Sequence, residues 1–109
     1  MSDRYTVDAA IDSLSEDEAG IYGVLLARGT LELGYYRPRQ NDPQKPHEQD
    51  EIYVVQSGSG IFMLDGERQP FEAGEALFVP AGVEHRFEDF SDDFSAWVVF
   101  YGPPGGEKE

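Results

Sequence analysis

The chain has only two histidines, His47 and His85, and a carboxylate, Glu51, follows the first of them by four residues. In a barrel of β-strands, these three side chains could converge from two strands on one interior point. Two neutral imidazoles and one carboxylate form the facial ligand set that suits iron(II) and leaves positions open for substrate or oxygen. Zinc(II), nickel(II) and manganese(II) accept the same ligands, so the set predicts a divalent-metal site without identifying its metal. The alternative is one exposed histidine and one hydrogen-bonded core histidine.

Four residues of the same segment are candidates for supporting roles. Gln44 offers an amide oxygen as a fourth metal ligand, a position that water fills more simply. Lys45 cannot bind a metal while protonated, although burial near a cation would lower its pKa. Gln49 and Tyr53 have the same strand parity as Glu51 and face the same side if the strand is regular. Lys45, Gln49 and Tyr53 are therefore the candidates for substrate contact, with a turn role for Gln49 and core packing for Tyr53 as open alternatives.

The elements that must hold these residues are short strands separated by turns. Asp65-Gly66 is the strongest hairpin signal in the chain. Frequent turns and almost no helical periodicity favour an all-β antiparallel sandwich or small barrel. The predicted strands cover residues 21–27, 31–37, 51–56, 61–64, 67–71, 76–79, 83–87 and 94–101.

One short helix is predicted before the strands. Val7, Ala10, Ile11 and Leu14 recur at helical spacing, and Thr6 precedes them as an N-cap. This apolar stripe gives the helix one face that must pack against the rest of the fold.

The last predicted strand is apolar on both faces. Phe94 and Val98 share one parity, while Trp97, Val99 and Tyr101 share the other. A small barrel buries only its inner face, so the outer face needs a cover. The N-terminal segment and a second subunit are the two candidates, and we expect a homodimer.

The residues that lead to His85 form a fixed pattern. Gly74, Pro80, Gly82 and His85 follow the order glycine, five residues, proline, one residue, glycine, two residues, histidine. This pattern resembles the second motif of the cupin family, and Asp89 stands where that motif usually has asparagine. Because four residues hold their places over twelve positions, the match is fairly specific.

The residues around His47 are similar to the end of the first cupin motif. His47, Glu51 and Gly58 match its histidine, glutamate and glycine. The family usually carries another histidine two residues before the matched one, and this chain has Lys45 there. Arg39 stands where the family has a glycine, so the connector is rearranged relative to the motif.

The resemblance implies a double-stranded β-helix, the jelly-roll barrel of the cupins. Residues 21–101 are then the barrel, 1–20 an N-terminal extension with a short helical segment, and 102–109 a flexible tail. It also implies a divalent metal cofactor, with iron(II) the leading candidate, and a small-molecule ligand inside the barrel. Dioxygenases, isomerases and decarboxylases share this fold, so the fold leaves the reaction open. We expect dioxygenase-like or other metal-dependent chemistry on a small organic molecule; the alternative is a module that binds metal or ligand without turnover.

Composition narrows the range of partners. The chain has 109 residues, with 22 acidic and 8 basic side chains and a formal net charge of −14, which argues against nucleic-acid and anionic-membrane partners. Cysteine is absent, which excludes disulfides and thiolate ligands. The polar, acidic N-terminus is unlike a secretory signal peptide, and no apolar run is long enough to span a bilayer. We expect a cytoplasmic protein of one domain.

Overall fold

The computed structural model describes residues 3–108, and most of its regular structure is β-strand. One helix, α1 (Val7–Ser13), continues into a 3-10 turn at Leu14–Glu16, and no helix in the described range is long and apolar enough to cross a membrane. The eight strands that follow are β1 (Tyr22–Arg28), β2 (Leu31–Tyr36), β3 (Asp50–Ser57), β4 (Ser59–Leu64), β5 (Glu67–Glu72), β6 (Ala76–Val79), β7 (His85–Glu88) and β8 (Ser95–Tyr101). Each predicted strand has its counterpart, with ends that differ by no more than two residues.

Two antiparallel sheets face each other across an aromatic core. The larger sheet has the strand order β1-β2-β8-β3-β6, and the smaller has the order β5-β4-β7. The ring of Phe87 lies 4.6 Å from that of Phe94, 4.9 Å from that of Tyr53 and 5.3 Å from that of Phe71, measured between centroids. Tilted and edge-on pairs at these distances attract beyond the area they bury. The predicted all-β jelly-roll barrel is confirmed.

The hairpin between β4 and β5 follows directly from its turn residues. Asp65 and Gly66 have φ values of 51° and 86°. Both central residues of a two-residue type I′ turn require positive φ, which aspartate tolerates and glycine adopts freely. Leu64 and Glu67 pair directly on either side of the turn, so the local sequence sets this register.

Helix α1 covers one end of the outer face of the larger sheet. The Thr6 hydroxyl accepts a hydrogen bond from the backbone N–H of Ala9 at 3.1 Å, which is the predicted N-cap. Ala10 and Leu14 are buried against Tyr35 of β2. The N-terminal segment therefore supplies part of the cover that the outer face needs.

The remainder of that outer face carries an apolar row that no described residue covers completely. The strand registers align one residue from each strand of the larger sheet, and Phe78 at the end of the row is 49% exposed. A contiguous, partly exposed apolar row of this kind is typical of a protein–protein interface. In order across the sheet, the row consists of Leu26, Leu33, Val99, Ile52 and Phe78.

Residues 102–107 lie against the start of β3. The backbone N–H of Gly105 donates to the Glu48 carbonyl at 2.7 Å, and that of Glu107 donates to the Asp50 carboxylate at 2.9 Å. These bonds hold the segment that the sequence predicts to be a flexible tail. The local sequence does not reveal them, because their acceptors lie more than fifty residues earlier in the chain.

We propose that a second copy of the chain covers the apolar row in a two-fold dimer. Phe78→Asp should convert the wild-type dimer into a monomer, because it opposes apolar burial that contributes about 25 cal/mol per Å². Val24→Asp is the matched control, since Val24 is 48% exposed but pairs with Gly34, on the opposite face of the sheet. Light scattering at micromolar concentration measures the mass, and a monomeric wild-type protein would contradict the proposal.

Candidate metal centre

Three polar side chains from separate parts of the chain meet inside the barrel. Glu51 lies in β3 of the larger sheet, His85 begins β7 of the smaller sheet, and His47 lies in the connector before β3. The Glu51 Oε1 atom is 3.3 Å from His85 Nε2 and 4.0 Å from His47 Nε2. All three ligand atoms lie within 4.8 Å of one another. The structure thus brings together the three residues that the sequence predicts as metal ligands.

The turn at residues 80–82 positions both histidines. Gly82 has a φ of 78°, a conformation that glycine adopts without strain. Its N–H donates to the His47 carbonyl at 2.7 Å, so the turn fixes the connector that carries His47. The chain then enters β7 at His85, with the imidazole already between the sheets.

One ring nitrogen of His85 is committed to the backbone. Nδ1 lies 2.9 Å from the Val83 carbonyl, and because a carbonyl only accepts, Nδ1 carries the proton in that bond. In the neutral ring, Nε2 therefore presents a lone pair toward Glu51. This is how metal-binding histidines are usually oriented, with the second nitrogen held by an acceptor.

The two histidines differ in proton affinity. Burial lowers the pKa of His47 below its ordinary value, although the Glu51 charge opposes this shift. Burial also lowers the pKa of His85, but the nearby Glu51 carboxylate and the hydrogen bond to the Val83 carbonyl outweigh it, so the net shift is upward. At neutral pH, His47 is thus a neutral ligand, while His85 holds a proton to higher pH when nothing else neutralises Glu51.

The Glu51 carboxylate is buried without a partner. The residue is 1% exposed, and within residues 3–108 neither carboxylate oxygen has a hydrogen-bond donor. His85 Nε2, which lies 3.3 Å from Oε1, also lacks a hydrogen-bond partner among those residues. A buried charge in this state is strongly unfavourable unless a cation or proton joins it. A divalent cation would satisfy the carboxylate and the imidazole lone pair together, so the donor set fits the predicted metal.

Gln44 and Tyr53 complete the polar wall of the site. The Tyr53 hydroxyl donates to Gln44 Oε1 at 2.5 Å, and that oxygen lies 3.5 Å from His47 Nε2. Burial, followed by the Glu51 charge, raises the pKa of Tyr53 well above its ordinary value, so the phenol stays protonated and donates. The amide oxygen of Gln44 therefore lies 3.5 Å from one candidate ligand atom, His47 Nε2.

The structure does not bring Lys45 and Gln49 to this wall. Lys45 is exposed and makes no hydrogen bond or ion pair within the described range. The Gln49 amide donates to the carbonyls of Thr30 and Gly102 at 2.8 and 3.0 Å. The alternation of side chains along a strand does not apply to Gln49, because Gln49 lies before β3, which begins at Asp50. Spacing does not locate Lys45 either, because the connector is irregular rather than a strand.

A cavity of about 190 Å³ opens beside the ligand set. Two tyrosines that the sequence analysis overlooked, Tyr22 and Tyr36, line it from β1 and β2, and their hydroxyls donate to Glu32 and Asp42. Burial raises the pKa of both phenols, which therefore remain neutral. Within the described residues, no lysine or arginine lines this cavity. Its lining consists of Ile21, Tyr22, Tyr36, Pro43, Gln44, His47, Glu51, Val98 and Phe100.

A larger groove of about 680 Å³ lies elsewhere, between α1, the end of β2 and residues 90–95. It contains none of the predicted metal ligands. Its size alone does not make it the reactive site, because Glu51, whose carboxylate oxygens have no hydrogen-bond partner among the described residues, lines the smaller cavity instead.

Comparisons with known proteins agree with this architecture. The family model described as Cupin domain matches residues 33–101, a range that includes all three candidate ligands. An uncharacterized protein of Streptomyces coelicolor is 36% identical over 98 residues, which are 85% of this chain and 93% of that protein. A solved Cupin 2 conserved barrel domain protein from Salinispora arenicola has a TM-score of 0.68 and 21% identity, covering 94% of this chain and 89% of its own. The last likeness shows the fold.

A second Streptomyces protein carries a more specific name. Polyketide synthase CurC of Streptomyces cyaneus is 32% identical over 78 residues, which are 70% of this chain. The matched region is 49% of that protein, so this chain spans about half the length of this relative.

Replacing Glu51 by Gln should stabilise the metal-free protein. The change removes a buried charge, and the new amide N–H faces the His85 Nε2 lone pair. At about pH 8 we expect the free energy of unfolding to rise by about 1–2 kcal/mol. Added divalent metal should stabilise the wild-type protein and leave the variant unchanged. Chemical unfolding with and without EDTA measures both effects, with Glu48→Gln as an exposed control.

The stability of Glu51→Gln relative to the metal-free wild-type protein should depend on pH, and the raised pKa of His85 gives the direction. The raised pKa of His85 means that its pairing with Glu51 stabilises the metal-free wild type below the ordinary histidine pKa of about 6.5. This stabilisation is lost as the pH rises through the raised pKa of His85. The advantage of Glu51→Gln should therefore shrink on acidification, and an advantage that grows toward about pH 5 would contradict the assigned pairing.

Proposed function

Because the chain belongs to the cupin family, we propose that its barrel holds a divalent metal and acts on a small organic molecule. His47, Glu51 and His85 are the proposed ligands, with the amide oxygen of Gln44 as a fourth. The observation that carries this proposal is the buried Glu51 carboxylate, which has no hydrogen-bond partner among the described residues and lies 3.3 Å from His85 Nε2.

Iron(II) is the metal that we propose for this donor set. Two imidazole nitrogens, one carboxylate and one neutral oxygen combine the ligands of non-haem iron oxygenases with an additional hard donor. Iron(II) bound there would supply Lewis acidity and oxygen-dependent oxidation of a substrate in the adjoining cavity. Zinc(II), nickel(II) and manganese(II) are the alternatives that metal analysis separates.

The residues of the chain shape the surroundings of that chemistry. Val98 and Phe100 give the cavity apolar walls that limit access of bulk water to a bound substrate. Tyr53 stays protonated and holds the Gln44 oxygen at the site. Tyr22 and Tyr36 donate their hydroxyl protons to carboxylates outside the ligand set, so they offer a substrate mainly their oxygen lone pairs and ring surfaces.

The cavity selects a small substrate without a phosphate group. About 190 Å³ is somewhat more than the ~150 Å³ that encloses one benzene ring. No cationic side chain of the described chain lines the cavity to bind a phosphate or a carboxylate. A phenol or a short 1,3-dicarbonyl compound meets these conditions, since its oxygens are the polar part. The name of the relative CurC supports an oxygen-rich, polyketide-type skeleton.

Metal analysis gives the first test of the proposal. Purified wild-type protein should contain one equivalent of a first-row divalent metal, and His85→Ala should lose at least nine-tenths of it while keeping its strand content by circular dichroism. Lys45→Ala is the matched control, because Lys45 is exposed beside the site and should not affect metal content. Retention of wild-type metal content by His85→Ala would show that the site lies elsewhere.

Oxygen consumption gives the second test. The iron(II)-loaded protein should consume oxygen with catechol or acetylacetone as a probe substrate. Ile21→Trp narrows the cavity and should lower kcat/KM at least tenfold at unchanged iron content, while Ile21→Val should leave it within about threefold. Bound iron without oxygen uptake on any single-ring phenol or 1,3-dicarbonyl would favour a binding module over an oxygenase.

A further inference from the structure

We infer that Asp42 is a positioning residue that points the Gln44 amide oxygen into the metal site. This inference rests on the proposed function and adds a residue that the sequence analysis did not identify. Asp42 Oδ2 accepts a hydrogen bond from Gln44 Nε2 at 2.8 Å, and Oδ1 accepts one from the Gln44 backbone N–H at 3.1 Å. Asp42 thus holds both the backbone and the side chain of Gln44.

The chemistry of the two groups fixes the orientation of the amide. An ionised carboxylate only accepts hydrogen bonds, so the NH₂ end of Gln44 must face Asp42. The oxygen end then faces the opposite way, where Tyr53 donates to it at 2.5 Å and His47 Nε2 lies 3.5 Å away. A carbonyl oxygen has two lone pairs, and Tyr53 uses one of them. The other has no donor when His47 Nε2 carries no proton, and it can then bind a metal ion.

Asp42 is itself held by the barrel. The backbone N–H of Phe87 donates to Oδ2 at 2.8 Å, and the Tyr36 hydroxyl donates to Oδ1 at 2.5 Å. Phe87 belongs to β7, two residues after His85, so the strand that carries one ligand also fixes the carboxylate that orients another. Four donors on one carboxylate leave little freedom for the Gln44 amide to rotate.

This arrangement has a consequence for metal choice. The chain presents a neutral oxygen donor in a site that otherwise has two nitrogens and one carboxylate. Oxygen ligands suit iron(II) and manganese(II), whereas additional imidazole nitrogen would favour copper(II), nickel(II) or zinc(II). Asp42 maintains this oxygen by preventing the amide from turning its NH₂ group toward the metal, which an NH₂ group cannot bind.

A double-mutant cycle tests whether Asp42 acts through Gln44. Manganese(II) is the probe, and its dissociation constant is measured by electron paramagnetic resonance of the free ion. Asp42→Asn keeps the shape but allows the amide to turn, and it should weaken binding about 10–100-fold, the usual effect of residues that orient metal ligands. Gln44→Ala should weaken binding similarly. The double variant should bind no more weakly than Gln44→Ala alone.

Asp50→Asn provides the matched control. Like the half-buried Asp42, the buried Asp50 carboxylate accepts backbone hydrogen bonds, from Ala81 at 3.0 Å and Glu107 at 2.9 Å, and it adjoins Glu51 in the chain. Its replacement removes the same charge near the site without touching Gln44. Asp50→Asn should change manganese affinity less than threefold.

The outcomes separate this inference from the proposed function. If Asp42→Asn weakens binding equally with and without the Gln44 side chain, or if it has no effect, Asp42 does not act through Gln44 and the inference is overturned while the metal site stands. If the wild-type protein binds no manganese(II), iron(II) or zinc(II), both fail. A readout that needs no metal is the side-chain amide resonance of ¹⁵N-labelled Gln44, which should move in Asp42→Asn and stay unchanged in Asp50→Asn.

Discussion

The buried carboxylate of Glu51 is the constraint on which the rest of this site depends. It lies on β3 inside the barrel with both oxygens unpaired among the described residues, opposite the free ring nitrogen of His85. Such an arrangement opposes folding and persists only where the surrounding structure supplies enough stability. Here the aromatic core around Phe87 supplies that stability, and it lies between the same two sheets that carry the ligands.

The parts of the site are joined by backbone hydrogen bonds as well as by their common centre. The Gly82 N–H holds the His47 carbonyl, and the Phe87 N–H holds the Asp42 carboxylate. Both bonds link the connector before β3 to the turn and strand that carry His85. The connector has little regular structure of its own, so these contacts determine where its side chains lie. A metal ion at the centre would add a third link between the same segments.

The net charge of the protein and the lining of the cavity both influence which ligands can bind. The net charge of −14 creates a field that attracts divalent cations and repels anions. No lysine or arginine among the described residues lines the cavity to reverse this effect, and the tyrosines of the cavity remain neutral. The field and the cavity therefore favour the same pair of ligands: a metal ion and an organic molecule without a strong negative charge.

The strands, the N-capped helix and the Asp65-Gly66 hairpin could be predicted from the sequence because each depends on local periodicity or turn chemistry. The grouping of His47, Glu51 and His85 follows instead from the resemblance to two cupin motifs, because His85 lies 34 residues after Glu51 and no local pattern joins them. The inward parity of Tyr53 was equally evident. The strands, the helix, the hairpin and the parity of Tyr53 need only a few neighbouring residues, so the chain carries them in its local pattern.

Only the tertiary structure decided which residue of the connector reaches the centre. Lys45 stands at the motif position, but the structure leaves it exposed and brings Gln44 to the site. The reason is that Gln44 is held by Asp42, and Asp42 is held by Phe87, forty-five residues away. A proline-rich connector has no regular repeat that predicts which way its side chains point. Hydrogen bonds between residues far apart in the chain cannot be predicted from local spacing.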